Sequence, residues 1–131
     1  MALIEGSTDL KTWQGDYSFA VDGGAQGTIV LRSKNGPLPI GSYVVGGIID
    51  VATALDSGGS ATAALQVNAA NDLVSAAAFG GAPWSTTGNK SVIPVSTGAT
   101  SIELTAARQP ALAIATADLT AGVFKLVLLY R

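Results

Sequence analysis

The chain is predicted to be all-β: an antiparallel β-sandwich, jelly-roll-like, with about eight strands, an extended N-terminal arm and at most one short helix. Three observations predict it. Short apolar runs, several of them alternating strictly with polar or small residues, recur at spacings of about 8 to 12 residues. Segments rich in Gly, Pro, Asn and Asp separate these runs, and a single stretch carries helical spacing.

Residues 1–14 mix Leu3-Ile4, Gly6-Ser7-Thr8, Leu10 and Trp13 without a sustained period and read as the arm. One sandwich domain over residues 15–131 follows. From Asp16, the residues Tyr17, Phe19 and Val21 alternate with Ser18 and Ala20 as a short strand, closed by Asp22-Gly23-Gly24. Residues 27–32 make a second strand, which Lys34-Asn35-Gly36-Pro37 stops. Residues 42–55 carry Tyr43, Val45, Ile49 and Val51 in one phase and Val44 and Ile48 in the other, the mark of a central strand covered on both faces. Gly46-Gly47 in its middle predicts a bulge or a close backbone approach.

Asp56-Ser57-Gly58-Gly59-Ser60 is a turn, and residues 61–68 resume alternation with Ala63, Leu65 and Val67 inward. The helix is expected at residues 69–79, where Asn71 or Asp72 would cap and Leu73, Ala76 and Ala77 fall at helical spacing. Residues 80–88 form a loop around Trp84. Strands are then expected at 90–94, 101–105, 111–116 and 122–131, with Thr97-Gly98-Ala99 among the turns between them. The last strand is apolar in both phases and is expected to be central.

The chemistry available to the chain is narrow. With 131 residues, no His and no Cys, it has no thiolate or imidazole ligand, no imidazole base and no disulfide. Lysine, carboxylate pairs and oxygen-ligated metals remain, and neither the spacing of Asp16, Asp22, Asp50 and Asp56 nor the 56–60 turn supplies a constellation for them. No catalytic, cofactor-binding or metal-binding residue is therefore assigned, and no enzyme is expected. A net charge of −2 from seven scattered cations gives no basis for holding nucleic acid. The longest strongly apolar run, residues 121–130, is interrupted by Lys125 and too short for a membrane helix, and the first residues lack a basic leader, so synthesis in a cytoplasm is expected.

Ala, Gly, Thr and Ser supply 22, 16, 12 and 11 residues, 61 of 131 in all. A surface so poor in ions predicts burial against partners. Candidate contact residues are Leu3, Ile4, Leu10 and Trp13 of the arm and Trp84 of the loop; for the two tryptophans a core plug or a sugar platform are the other readings. Asp50 is expected inside a buried strand and so should meet Arg108 or Lys125, or face a subunit boundary.

The block from Pro39-Ile40-Gly41 through Ile48-Ile49-Asp50-Val51-Ala52-Thr53-Ala54-Leu55, with Asn71-Asp72-Leu73, Pro83-Trp84-Ser85-Thr86-Thr87-Gly88 and Leu119-Thr120-Ala121-Gly122-Val123-Phe124, resembles capsid decoration (cement) proteins of tailed bacteriophages. The resemblance spans residues 38–131. It implies a jelly-roll domain, trimeric, on the outer capsid surface of a virion, bridging subunits of the major capsid protein and stabilising the head. A tail tube, fibre or spike component and a carbohydrate-binding module are the alternatives.

Overall fold

In a computed structural model the chain forms two antiparallel sheets packed face to face, and the structure describes residues 10–94 and 100–131. The first sheet sets β1 (Lys11–Ser18) beside β9 (Leu119–Tyr130), then β3 (Tyr43–Ser57) and β6 (Gly88–Ser91). A two-residue strand, β7 (Ile102–Glu103), also pairs with β3. The second sheet runs β2 (Gly27–Val30), β8 (Ala111–Ala115), β4 (Thr62–Gln66), β5 (Val74–Ala78). Each sheet thus interleaves early and late strands, as in a double-sheet jelly roll.

Alternation explains the core. In β1 the inward residues are Trp13, Gly15 and Tyr17; in β9 they are Phe124, Leu126 and Leu128; in β3 they are Val44, Ile49, Val51 and Leu55. From the second sheet Ala63, Leu65, Leu112 and Ile114 meet them. Tyr17, Phe124 and Trp84 form an aromatic chain through the middle, with ring centroids 5.4 and 5.3 Å apart.

The Gly46-Gly47 pair does what was expected of it. The β3–β9 register shifts between Val44 and Gly46, and a Cβ on Gly47 would strike the carbonyl oxygen of Val127. Positions of β9 between β1 and β3 likewise match the expected central strand.

Five expectations need correction. Residues 69–79 are not a helix. The Asp72 carboxylate accepts from the backbone N–H groups of Val67, Asn68 and Ala69 at 2.8, 2.9 and 2.8 Å, Asn71 takes a left-handed φ of 62°, and the chain leaves this turn directly into β5. A carboxylate that satisfies upstream backbone donors offers the chain an alternative to a helix. Residues 17–21 are not all strand: the chain coils at α1 (Phe19–Asp22), because the Asp22 carboxylate binds back to Ser18 N–H at 2.9 Å and Gly23 N–H closes onto Phe19 O at 2.9 Å.

Residues 11–14, expected in the arm, are strand: Lys11–Gln14 pair with β9. β3 is covered on one face only within the chain, so Ile48 stays 41% exposed. For the same reason Asp50 is exposed. It sits in register between Lys125 of β9 and Asn89 of β6, while Arg108 is engaged elsewhere, donating to Asn68 Oδ1 at 3.0 Å. The expected turn at Thr97-Gly98-Ala99 lies outside the described residues.

Candidate contact surfaces

The residues expected to make contacts meet different fates. Trp13 and Trp84 are buried at 1% and 0% exposure, so neither ring is an interface anchor or a sugar platform. Each is a plug with its indole N–H satisfied: Trp13 donates to Gly36 O at 2.7 Å and Trp84 to Ala63 O at 3.0 Å. The physical reason is local. Trp13 lies in the inward phase of β1, with its ring over Gly15, where a Cβ would collide with it. Trp84 is folded inward by a turn whose carbonyls are gathered by Lys90, which donates to Pro83 O, Thr86 O and Thr87 O at 3.3, 2.7 and 3.5 Å. Leu10 is 47% exposed at the entry to β1. Leu3 and Ile4 lie outside the described residues.

Sequence reasoning passed over a second set. The turn α1 buries none of its residues, and Phe19 and Val21 stand exposed, Val21 at 68%. It is nevertheless firmly held. Arg32 binds the Asp22 carboxylate at 3.0 Å and the Asp16 carboxylate at 3.3 Å, and the backbones of Asp16 and Arg32 exchange hydrogen bonds of 2.9 and 3.2 Å. The hydrogen bond to Asp22 raises the guanidinium pKa above its ordinary value. Arg32 is thus a structural clamp between the two sheets. Beneath it, burial and then the charge of Asp22 push the Tyr17 hydroxyl up to about 12, and that hydroxyl donates to Gly23 O at 2.6 Å. The signal in the sequence was Asp22 spaced four residues after Ser18, but its partner Arg32 is ten residues further on.

The outer face of the first sheet is a mixed surface. Cross-strand register puts Asp16, Lys125, Asp50 and Asn89 in one row and Gln14, Val127, Ile48 and Ser91 in the next, with Leu129 beside them. Ile48 and Leu129 are exposed there. A polar cleft of about 400 Å³ lies at its β1 side, between Gln14, Asp16, Lys125 and the 33–35 loop. A shallower groove of about 350 Å³ runs between β5 and Ile93, lined by Leu73, Val74, Pro83 and small residues. Among the described residues no cluster of three carboxylates could hold a metal ion, and every buried side-chain polar atom has a partner.

A jelly-roll sandwich with both tryptophans in its core and a mixed polar and apolar outer face on its first sheet is the class of protein these features define. In fold the chain is similar to a chain of the cyanophage Pam1 capsid asymmetric unit (19% identity, TM-score 0.64, 99% of this chain and 91% of that one). A second similar chain comes from the capsid of Ralstonia phage GP4 (22% identity, TM-score 0.64, 99% and 89%). A third comes from the acid-stable capsid of the Helicobacter pylori bacteriophage KHP30 (13% identity, TM-score 0.61, 92% and 86%). No protein-family model and no curated protein matches the chain.

Proposed function

We propose that the protein is a structural component of a phage virion, a decoration (cement) protein that binds the outer surface of the head. One observation carries this reading. The sandwich matches, over nearly its whole length and nearly the whole of theirs, chains from the capsids of three phages. The resemblance of residues 38–131 to decoration proteins supports the finer assignment, with the major capsid protein as partner and a homotrimer as the bound form. Its work is mechanical and not enzymatic: contacts available only on the assembled shell stabilise that shell by mass action, and many copies multiply a modest contact. Leu10, with Leu3 and Ile4, belongs to the contacting surface. The sugar-binding alternative loses its support with Trp84 in the core.

The test is co-sedimentation. Purified protein mixed with expanded heads of the phage that encodes it, stripped of this protein, is expected to pellet with them to saturation. Protein left in the supernatant at every ratio would refute the reading.

A further inference from the structure

We propose that Asn35 is a site of self-modification: the backbone nitrogen of Gly36 closes on its side-chain amide, ammonia leaves, and the linkage becomes aspartate or isoaspartate. This holds whatever surface the sandwich binds. Such a closure needs a side-chain amide whose carbonyl is polarised, followed by a backbone nitrogen that is unshielded and not already donating a hydrogen bond. The chain has four asparagines, Asn35, Asn68, Asn71 and Asn89, and the structure separates the first from the rest.

Asn68 has a polarised amide, its Oδ1 accepting from Thr105 N–H at 3.3 Å and from Arg108 Nε at 3.0 Å. The nitrogen after it is taken, because Ala69 N–H donates to the Asp72 carboxylate at 2.8 Å. After Asn71 comes Asp72, whose N–H donates to Ala69 O at 3.3 Å. Asn89 lies inside β6 opposite Asp50, where the ladder holds the chain extended. Asn35 differs on both counts. Its Oδ1 accepts the Gln14 N–H at 2.9 Å, and Gly36 N–H has no acceptor among the described residues. Asn35 is exposed, and Gly36, at φ 71°, leaves open space beside its nitrogen: nothing beyond its chain neighbours lies within 4 Å of where a Cβ would stand.

The reaction balances with water alone. Gly36 N gives its proton to solvent and bonds to Asn35 Cγ, and the carbonyl electron pair moves onto Oδ1, where the Gln14 N–H already points as an oxyanion donor. The pair returns, the Cγ–Nδ2 bond breaks, and Nδ2 takes a proton from water and leaves as ammonia. One water then opens the succinimide, at Cγ to give aspartate or at the main-chain carbonyl of residue 35 to give isoaspartate. Lys34 and Lys125 line the cleft beside Asn35 and favour the negative charge that builds during closure; Asp16, on the same wall, is bound to Arg32.

The change reaches the fold because the 33–36 loop stands where β1 lacks a neighbouring strand. β1 ends its sheet, and on its free side Gln14 N–H meets Asn35 Oδ1, Gln14 O accepts from Ser33 Oγ, and Trp13 donates to Gly36 O at 2.7 Å. Isoaspartate adds a methylene to the main chain between residues 35 and 36, and the lengthened link no longer holds both acceptors in place. The edge of β1 then opens at Gln14.

The test is peptide mapping by mass spectrometry of folded protein aged in warm neutral buffer. Conversion at Asn35 is expected to run at least about tenfold faster than at Asn68, Asn71 or Asn89, and Asn35→Gln, whose longer side chain would have to close a larger ring, is expected to abolish it. Gln14→Pro deletes the N–H that meets Oδ1 and no bond to β9, and is expected to slow conversion about threefold or more in the folded protein. If that variant fails to fold, hydrogen exchange decides. Aged protein carrying isoaspartate is expected to exchange its Gln14 amide about tenfold faster than fresh protein, while Asn35→Asp, which keeps an acceptor in place, retains protection. Conversion at Asn35 no faster than at the other three asparagines overturns the proposal. So does a folded Gln14→Pro chain that converts at the wild-type rate, or isoaspartate protein whose Gln14 amide stays protected.

Discussion

Two aspartates decide more of the local structure than any apolar residue near them. Asp72 collects three backbone N–H groups and so converts a helical spacing into a turn. Asp72→Ala is expected to lower stability by about 2–3 kcal/mol in urea unfolding, because it leaves donors without a charged acceptor. An unchanged denaturation midpoint would show that water replaces the carboxylate. Asp22 acts on Tyr17 as well as on Arg32 and Ser18. Since the folded-state hydroxyl titrates near 12 and an unfolded tyrosine near 10, the native state holds that proton more tightly. Its contribution to stability is therefore complete below about pH 10 and is lost as pH rises toward 12. Spectrophotometric titration is expected to show a late tyrosinate step that Tyr17→Phe removes; a late step that survives in the variant would contradict this account.

Among the strands, β9 and β3 carry the fold. β9 pairs with β1 along one edge and β3 along the other, and sends Phe124, Leu126 and Leu128 into the core. A chain ending at residue 118 is expected to show no cooperative unfolding by circular dichroism, since both neighbours lose their ladder partner. The β3–β9 contact also depends on Gly47, where an added Cβ would meet the Val127 carbonyl. Gly47→Ala is expected to cost about 1–3 kcal/mol through forced separation of the two strands, read as a lowered melting temperature. Equal stability would mean that the bulge absorbs the methyl group. How much of this was legible beforehand varies by strand. Alternation in residues 61–68 names the inward residues correctly because one phase there is polar or small. In β3 and β9 both phases are apolar, so the pattern cannot say which one faces the second sheet. The outer phase, with Ile48, Val127 and Leu129, was therefore assigned to burial that the single chain does not provide.

At the scale of the whole molecule, the surface left over is the surface available for assembly. It consists of the outer face of the first sheet, the exposed turn α1 and the open edges, on a body with a net charge of −2 and few ions to solvate it. Charged substitutions on the outer sheet face, Ile48→Asp with Leu129→Asp, should leave the melting temperature within about 3 °C because neither side chain packs in the core. The same pair is expected to cut co-sedimentation with heads severalfold. Full retention on heads would move the contact to another face. The candidate contacts read from the sequence fared unevenly for a geometric reason. A tryptophan in an apparently irregular segment has the same local signature whether it plugs a core or anchors a partner, and only the path of the chain beyond it decides.

What the amino-acid order determined by itself was what period and residue type control: an all-β chain, its breaks at residues 34–37 and 58–60, the inward phase of residues 61–68, and the lack of imidazole and thiol chemistry. Those properties are local, set by side chains two residues apart and by glycine and proline at turns. The tertiary structure alone decided which strands became neighbours, which phase of the doubly apolar strands went inside, and where alternation gave way to a coil at Phe19–Asp22. The first two hang on groups distant in sequence, such as Trp84 with Ala63 and Gly47 with Val127, and the third joins the local Asp22–Ser18 bond to the Arg32 clamp, which forms only once the two sheets have closed.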